Sequence, residues 1–587
     1  MISNSHLETL DLAYNSVMSK ASMVFGRSLM SNGTLTYLDL SGNPLGEAGA
    51  RSILRSSLRR PTCNVVMNNC LFSDTQVMFD RACPQAKLEY DLDLKVPYEA
   101  CLMYELCMLA KEWPGCKFQS VCYSLGGQSG KVFLNLQCVE GTGVVDGSTG
   151  KPWEIPSMGT LSVVFLTHRS LPKLQDGLSE ASRAKAVQVI KAADTTMGMR
   201  SMLFLISQDI FLTTSGADEL LEEMVRLGLT AMEVVERLWT CIIDVENLYA
   251  FLCRHIDKLH RGGVVKMLSP ELSKFNWKNP TGHYCLQLSQ PSHRHILGIL
   301  RAVHSNEIKE IKAKHQLDTS QHQDWSMFRN ATLNCSPITV LAMDLEGTRE
   351  GTLEFDYVSV ERPPTDAVIV DDDEVDRLQH GLDIEQRDQF AAQPNYQLAV
   401  LQLQLAVTQH YFTCNQAITI VDCFEHSRCQ ISAVCALFGR VVDLGNFNKV
   451  IDTLPANKAQ EVCHRLGYLN VLNPMKLSRT YRLDLEKADE RKLCKMLLQL
   501  APGEKGDNMK VDEASDLTLL DLYGAIGRLA DDVRSDVVLL KYAAIGERGN
   551  IPNWPLRLSI LPHFLCDSKP VQDEFAQLIK SVKDVKG

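Results

Sequence analysis

A leucine pattern that recurs about every 28 residues near the N-terminus constrains the fold more than any other feature of this sequence. Its copies are Leu7, Leu10, Leu12 and Asn15, then Leu35, Leu38, Leu40, Asn43 and Leu45, then a weaker set of Val65, Met67, Cys70 and Phe72. In each strong copy, two leucines stand at positions i and i+2 of a short strand, so their side chains point the same way. The intervening residues 20–31 and 47–58 have a helical pattern. The spacing therefore predicts alternating strands and helices.

The pattern L-x-x-L-x-L-x-x-[N/C]-x-L resembles the signature of leucine-rich repeats, and the copy length resembles the ribonuclease-inhibitor type. That resemblance implies a short α/β solenoid in which Asn15, Asn43 and Cys70 turn the chain and the asparagines bond backbone groups. It also implies a surface for a protein partner; the alternative is a structural lead-in that binds nothing alone. Solenoid repeats need capping neighbours, and no polar cap precedes Leu7. We therefore expect further repeats or another chain to cover this end.

The rest of the sequence repeats with a longer period, near 195 residues. One element is a tyrosine followed by leucines two and four residues later and then by an apolar helical stretch; it begins at Tyr90, Tyr284 and Tyr481. A second element has three copies: Thr160-Leu161…Phe165, Thr352-Leu353…Tyr357 and Thr518-Leu519…Tyr523. Alternation and β-rich neighbours predict that both elements form strands.

A third element occurs twice without gaps. Its copies are Leu238-Trp239…Ile242-Ile243-Asp244-x-x-Asn247-Leu248 and Leu437-Phe438…Val441-Val442-Asp443-x-x-Asn446-Phe447. We interpret Asp244, Asp443, Asn247 and Asn446 as capping residues that start a new helix. Residues 410–475, and also 205–270, resemble a bacterial and eukaryotic domain of unknown function, DUF4476, and the whole layout resembles large uncharacterised proteins of protists and algae. Neither resemblance implies any chemistry.

These repeats divide the chain into four predicted segments. Leucine-rich repeats occupy 1–79, a partial module of mainly strands occupies 80–178, and a full module of helices and then sheet occupies 179–378. A second full module, decayed at its C-terminus, occupies 379–587. The predicted fold class is α+β multidomain: a short α/β leucine-rich solenoid followed by tandem α+β modules with helical subdomains. Because the duplicated positions are mostly apolar or capping, they favour architecture over an active site.

Composition limits the partners and the compartment. A net charge of -11 over 587 residues argues against binding to nucleic acid. No run of 18 apolar residues occurs, so we expect no membrane span. The 19 cysteines form no disulfide framework, which indicates a reducing compartment and so the cytoplasm. If the chain is part of the axoneme instead, we expect it in the cilium or cytoskeleton. Arg51, Arg55, Arg59 and Arg60 form a local basic cluster, which we interpret as a solvated helix face.

Two glycine- and cysteine-based motifs fall short of their functional patterns. Gly126–Lys131 departs from a phosphate loop, because its first glycine is one residue too close to the lysine and Val132 replaces serine or threonine. We predict a β-turn there. Cys423, Cys429 and Cys435 are six residues apart and the chain has no C-x-x-C pair, so the ligand clustering of a structural zinc site is missing.

Histidines and acidic residues also give no frame for a metal. His293, His295 and His304 lie near a turn and a helix without a converging acid. The acidic run Asp371–Glu374 lacks the alternate ligands and central glycine of a calcium loop, and we predict that it caps the next helix. Tryptophans in loop-like surroundings are lids over module cores or binding hot spots, and we favour lids; they are Trp113, Trp153, Trp277, Trp325 and Trp554.

We therefore predict a non-catalytic scaffold or adaptor that acts through protein–protein interaction. The alternatives are a structural component of a large assembly such as the ciliary axoneme, and an enzyme with an unrecognised site. We predict no catalytic, cofactor-binding or metal-binding residue, no cofactor, no nucleic acid and no membrane. The predicted partner is one or more proteins of unknown identity.

Overall fold

The computed structural model of the chain describes residues 4–60, 62–72, 79, 87–113, 115–125, 132–139, 143–168, 171–268, 272, 275–315, 327–343, 348–364, 366–386, 396–473, 476–485, 487–512, 517–525 and 537–560. Two compact units make up the chain. The first comprises Met1–Trp277, Leu286–Asn306 and Ile338–Thr352, and the second comprises Lys278–Cys285, Glu307–Pro337 and Leu353–Gly587. The four predicted segments, bounded at 79, 178 and 378, stay predictions.

Three parallel strands and two helices form the N-terminal part of the first unit. They are β1 (Thr9–Asp11), α1 (Ser19–Ser31), β2 (Tyr37–Asp39), α2 (Glu47–Arg59) and β3 (Asn64–Val66), and the strands lie in the order β1-β2-β3. The predicted inward positions Leu38, Leu40 and Val65 are buried. Asn43 turns the chain as predicted, because its Oδ1 accepts the backbone N–H groups of Asn15 and Val17 at 2.9 Å. Its Nδ2 donates to the carbonyls of Leu12, Leu40 and Ser41, just after β1 and β2.

An antiparallel sheet with one long helix follows. Its elements are β4 (Lys87–Asp93), α3 (Pro97–Glu112), β5 (Lys117–Ser124), β6 (Val132–Leu134), β7 (Leu136–Val139), β8 (Gly143–Asp146) and β9 (Thr160–Leu166). The sheet has the order β4-β9-β5-β6, and β7 and β8 form a separate hairpin. Leu92 and Leu161 face each other across the β4–β9 pair, and both are buried beneath α3 with Leu106. The predicted strands at Tyr90 and Thr160 are therefore confirmed.

Six helices follow within the described residues 171–268 of the first unit. They are α4 (Glu180–Lys191), α5 (Thr196–Ser207), α6 (Thr214–Arg226), α7 (Ala231–Leu238), α8 (Leu248–His255) and α9 (Lys258–Met267). Threonine side chains cap several of them: Thr195, Thr213 and Thr230 each accept a backbone N–H from the first turn of the helix that follows. These caps satisfy N–H groups that a helix leaves without an internal partner.

A second four-stranded sheet repeats the strand order of the first. Its elements are β10 (Gly282–Gln287), α10 (Pro291–His315), β11 (Phe328–Leu333), β12 (Ser336–Pro337) and β13 (Thr352–Tyr357), in the order β10-β13-β11-β12. Its core stacks the ring of Tyr284 on that of Phe355, with centroids 5.4 Å apart. The correspondence of β4, β9, β5 and β6 with β10, β13, β11 and β12 supports a duplicated module.

The second unit ends in a helical segment and a third, smaller sheet. The helices are α11 (Asp372–Gln386), α12 (Tyr396–Ala406), α13 (Cys414–Asp422), α14 (Ser427–Phe438), α15 (Phe447–Ile451), α16 (Ala456–Leu466) and α17 (Tyr468–Val471). Then come β14 (Thr480–Asp484), α18 (Ala488–Leu500), β15 (Met509–Val511), α19 (Leu519–Ala525), β16 (Val537–Tyr542) and α20 (Trp554–Ile560). The strand order is β14-β16-β15.

The predicted strand at Thr518–Tyr523 is wrong, because these residues begin helix α19. Thr518 accepts the N–H of Asp521 at 3.2 Å and the Asp521 carboxylate accepts that of Thr518 at 2.9 Å, which is a capping box. The equivalent strand is β16, in which Leu540 stands opposite Tyr481 just as Val163 stands opposite Tyr90. The chain is thus a mixed α+β protein with several small sheets, as predicted. The solenoid form of the repeats stays a prediction.

Candidate functional site

The basic cluster on α2 does not form the solvated face that the sequence suggested. Arg51 is only 5% exposed, and its Nε and one terminal nitrogen donate to the two carboxylate oxygens of Asp209 at 2.9 and 2.8 Å. Two N–H groups held parallel to a carboxylate give strong, directional pairing. Asp209 lies 158 residues further along the chain, so local spacing could not identify it. Arg51 therefore joins the repeats to the end of α5.

Two further ion pairs join α2 to helix α3. Arg55 donates to Glu105 of α3 at 3.0 Å, and Arg59 donates to Glu112 at the end of the same helix at 2.6 Å. Burial and then the neighbouring Arg55 lower the pKa of Arg59. A cleft of about 490 Å³ opens beside these pairs, and Leu54, Leu58 and Trp113 are among the residues that line it. Its arginines are matched by carboxylates, so the cleft presents no excess of either charge.

The helix side of the repeats is covered by other elements of the first unit. Cys101 of α3 donates its Sγ–H to the carbonyl of Met23 in α1 at 3.4 Å, and the guanidinium of Arg27 lies 4.9 Å from the Tyr104 ring. Ser182 of α4 donates to the carbonyl of Leu58 at the end of α2. Together with the arginine pairs, these contacts leave the helix layer of the repeats with little surface for a partner.

The strand side of the repeats is the open one. We define the strand face as the outward side chains of β1, β2 and β3: Thr9, Asp11, Tyr37, Asp39, Asn64 and Val66. Thr9 and Asp11 are exposed, and the other four are half-buried. The Tyr37 hydroxyl donates to Asp39 at 3.4 Å, and the pKa of Tyr37 is raised by partial burial and then by the charges of Asp39 and Asp11. This face therefore combines aromatic surface with negative potential.

The Asp-x-x-Asn element forms the same lock in both copies, but not the predicted one. Asp244 does not cap the turn that follows it; its carboxylate accepts the backbone N–H and the hydroxyl of Thr214, at the start of α6 thirty residues earlier. Asp443 likewise accepts the N–H of Cys414, at the start of α13. Asn247 donates to Asp244 at 3.0 Å. The two aspartates therefore bond the first turn of a helix, as the capping interpretation requires. The helix is the earlier one, α6 or α13, and not the one that follows.

The strand–turn–helix element also closes on itself identically in its three copies. In each copy, the side chain nine residues after the tyrosine accepts the backbone N–H of the residue three after it. The bonds are Glu99 from Asp93 at 2.6 Å, His293 from Gln287 at 2.9 Å, and Glu490 from Asp484 at 2.7 Å. The sequence pattern does not reveal this bond, because the accepting residue changes between glutamate and histidine while the geometry persists. In the third copy Glu490 is fully buried and also contacts His464 Nδ1 at 2.5 Å. Since both Glu490 oxygens are engaged, we interpret this pair as structural.

The remaining residues singled out from the sequence are distributed through the fold. His293 accepts the N–H just described, and burial together with Arg301 lowers the pKa of His304 to about 4. Asp371 accepts the N–H of Glu374 and so caps α11, as predicted. Gly126–Lys131 lies outside the described residues, as does Trp325.

Neither a metal centre nor a membrane span is found in the described ranges. No three histidine, cysteine, aspartate or glutamate side chains converge there as metal ligands. No described helix combines the length and the apolar character that crossing a bilayer requires. All 17 described cysteines are free thiols. Burial raises the pKa of several of them, including Cys241 and Cys435 to about 12, so these thiols stay protonated and unreactive.

Comparison with known families identifies two parts of the chain. No curated protein and no solved structure gives a significant match. The leucine-rich-repeat model matches residues 3–19 and 31–54, the region of β1 to α2. A model described only as a domain of unknown function, DUF4476, matches residues 388–466 and so includes the Asp443 lock. The chain therefore carries leucine-rich repeats at its N-terminal end and a DUF4476 domain in its second unit.

Proposed function

We propose that this chain is a non-catalytic adaptor or scaffold that binds a protein partner through the strand face of its N-terminal repeats. One observation carries the proposal: the helix side of the repeats is occupied by α3, α4 and the end of α5, whereas the strand side is open. Leucine-rich repeats present rigid, extended surfaces that suit protein recognition.

The wider architecture supports binding rather than chemistry as the main role. The positions that recur between modules hold the backbone, as Glu99, His293 and Glu490 do. Rigid, well-packed modules suit a scaffold, because a preorganised surface loses little conformational entropy on binding. We place the protein in the cytoplasm on the basis of its free cysteines. The alternative to this proposal is a structural component of a large assembly such as the ciliary axoneme.

Native co-purification with a matched pair of variants tests the proposal. The full-length chain is isolated from its own cell at moderate salt, and bound proteins are quantified by mass spectrometry. Thr9→Trp places a bulky neutral side chain on the strand face. Thr160→Trp makes the same change at an exposed position of strand β9. We expect stoichiometric partners with the wild type and with Thr160→Trp, and loss of at least one of them with Thr9→Trp. Equal capture by both variants refutes binding through the strand face.

A further inference from the structure

We propose that the strand face recognises a lysine- or arginine-rich segment of its protein partner, with a cationic side chain seated between Asp11 and Asp39. This inference rests on the proposed function, since it assigns partner chemistry to the same surface. It does not follow from the leucine pattern, because the outward positions of such repeats are free to vary while the inward leucines hold the fold.

The first support is a charge repulsion built into the sheet. Asp11 and Asp39 are directly paired residues of the parallel strands β1 and β2. Neighbouring strands are about 4.8 Å apart, so the two carboxylates project side by side. Like charges directly opposite each other on neighbouring strands repel and so destabilise a sheet. No lysine or arginine occurs in β1, β2 or β3 to offset them. A cation supplied by a partner would relieve this repulsion.

The second support is the remaining acceptor capacity of both carboxylates. Oδ1 of Asp11 accepts the N–H of Ala13, and Oδ1 of Asp39 accepts that of Ser41. These short-range bonds fix the direction of each carboxylate without exhausting it, because an ionised carboxylate offers about four acceptor sites. Lysine and arginine carry only donors, and arginine presents them in a planar fork that fits carboxylates. The oriented carboxylates therefore complement a basic side chain.

The third support is aromatic surface beside the acidic pair. Tyr37 donates its hydroxyl to Asp39, which holds its ring along the strand face. Tyr14 is 74% exposed, and its ring lies so close to Gly42 that a Cβ there would stand 2.3 Å from it. Tyrosine rings within about 6 Å of a cation attract it. Rings and carboxylates together favour the guanidinium or ammonium of a peptide over a neutral apolar segment.

Peptide binding to the full-length chain tests the inference directly. The probes are two fluorescein-labelled twelve-residue peptides, one alternating arginine with serine and one alternating glutamate with serine, measured by fluorescence anisotropy. We expect the basic peptide to bind, with affinity that falls as salt rises, and the acidic peptide not to bind. Asp11→Asn/Asp39→Asn should weaken the basic peptide about tenfold or more, which is about 1.4 kcal/mol.

A control variant removes the same charge elsewhere. Glu89→Gln/Asp91→Asn neutralises two exposed acids of strand β4 in the same unit and should leave the affinity unchanged. Hydrogen exchange of the repeats should show that Asp11→Asn/Asp39→Asn is at least as stable as the wild type, because the repulsion is gone; this separates lost recognition from lost folding. Equal binding of the basic peptide to both double variants overturns the inference. Calcium binding at the acidic pair without peptide binding overturns it too.

The outcome is separable from that of the proposed function. If Thr9→Trp removes a native partner but Asp11→Asn/Asp39→Asn retains it, the strand face binds a protein and the basic chemistry is wrong. If neither variant affects any partner, the proposed function itself fails.

Discussion

Glu307 should make the second unit less stable as the pH rises from about 4.5 to about 7. This glutamate of α10 is 9% exposed, and its carboxyl group lies against Tyr357, Ser359 and the backbone N–H of Val360. The Ser359 hydroxyl donates to it at 2.5 Å. Burial raises the pKa of Glu307 from 4.5 to about 7, and this effect exceeds the opposing hydrogen bonds. The neighbouring charges of Glu361 and Arg362 act in opposite directions on it.

The sign and the size of the effect follow from proton linkage. A folded state that holds its proton up to a higher pH than the unfolded state loses stability as the pH rises between the two pKa values. The stabilisation is complete below about pH 4.5 and lost above about pH 7. At about 1.4 kcal/mol for each pKa unit, the change is about 3 kcal/mol. Glu307→Gln keeps a neutral acceptor for Ser359 and cannot ionise, so its stability should lack this dependence.

Hydrogen exchange measured by mass spectrometry suits this test, because a chain with two units need not unfold in one step. The amide of Val358, which donates to the carbonyl of Met327, reports on the end of β13. Wild type and Glu307→Gln are compared at each pH, so the intrinsic pH dependence of exchange cancels. We expect the opening free energy of the wild type to fall by about 3 kcal/mol relative to the variant between pH 5 and pH 8. Glu310→Gln, at an exposed position of the same helix, should follow the wild type. A constant difference between wild type and Glu307→Gln across this range refutes the reasoning.

Three other substitutions test the internal pairs. Arg557→Met should destabilise the third sheet by about 3–5 kcal/mol in pulse proteolysis, because it leaves the buried Glu504 without its bidentate partner. Although burial opposes it, hydrogen bonds from Arg557 and Tyr542 hold the pKa of Glu504 below its usual value, so the wild type should also weaken as the pH falls through that lowered pKa. Asp443→Ala should speed hydrogen exchange at the start of α13, with a loss of about 1–3 kcal/mol in the opening free energy there. Unchanged exchange at these amides would contradict the bond from Cys414 to Asp443. Asn43→Ala should destabilise the repeats by about 2 kcal/mol or more in urea, since it removes the side chain that bonds five backbone groups. Asn15→Ala, whose side chain bonds a single exposed carbonyl, should have little effect.

Local patterns predicted the elements whose physics is local. The leucines at i and i+2 and the asparagine Asn43 identified the repeats, because the same spacing of inward and turning residues recurs in each copy. The bonds from Asn43 to Leu12, Asn15 and Val17 then join that copy to the preceding one. Tyr90, Tyr284 and Tyr481 marked the strand–turn–helix element for the same reason. Thr518 misled the analysis, since a threonine and leucine followed by a tyrosine fit both a strand and a capped helix start. Only the pairing of β16 with Tyr481 decides between them.

Long-range polar pairs could not be predicted from spacing. Arg51 finds Asp209 far along the chain, and Asp244 serves a helix that precedes it by thirty residues. Each looked like a surface or capping residue of its own segment, and each instead joins two segments. A charged residue on an otherwise apolar helix therefore does not reliably predict an exposed position. A carboxylate far along the chain can pair with the charge and allow it to be buried.

The same distinction separates the two kinds of acidic residue on the repeats and bears on how this protein recognises others. Asp209 and Glu105 each form an ion pair with an arginine of α2, so their charges are neutralised inside the first unit. Replacing either of them should therefore lower the stability of that unit. Asp11 and Asp39 are paired with each other across β1 and β2, and their neutralisation should increase stability. A destabilising arrangement held on the strand face, together with the half-buried ring of Tyr37 and the exposed ring of Tyr14, is the kind of local conflict that binding sites retain. Stability and partner binding should therefore respond in opposite directions at Asp11 and Asp39, and only there among these four acids.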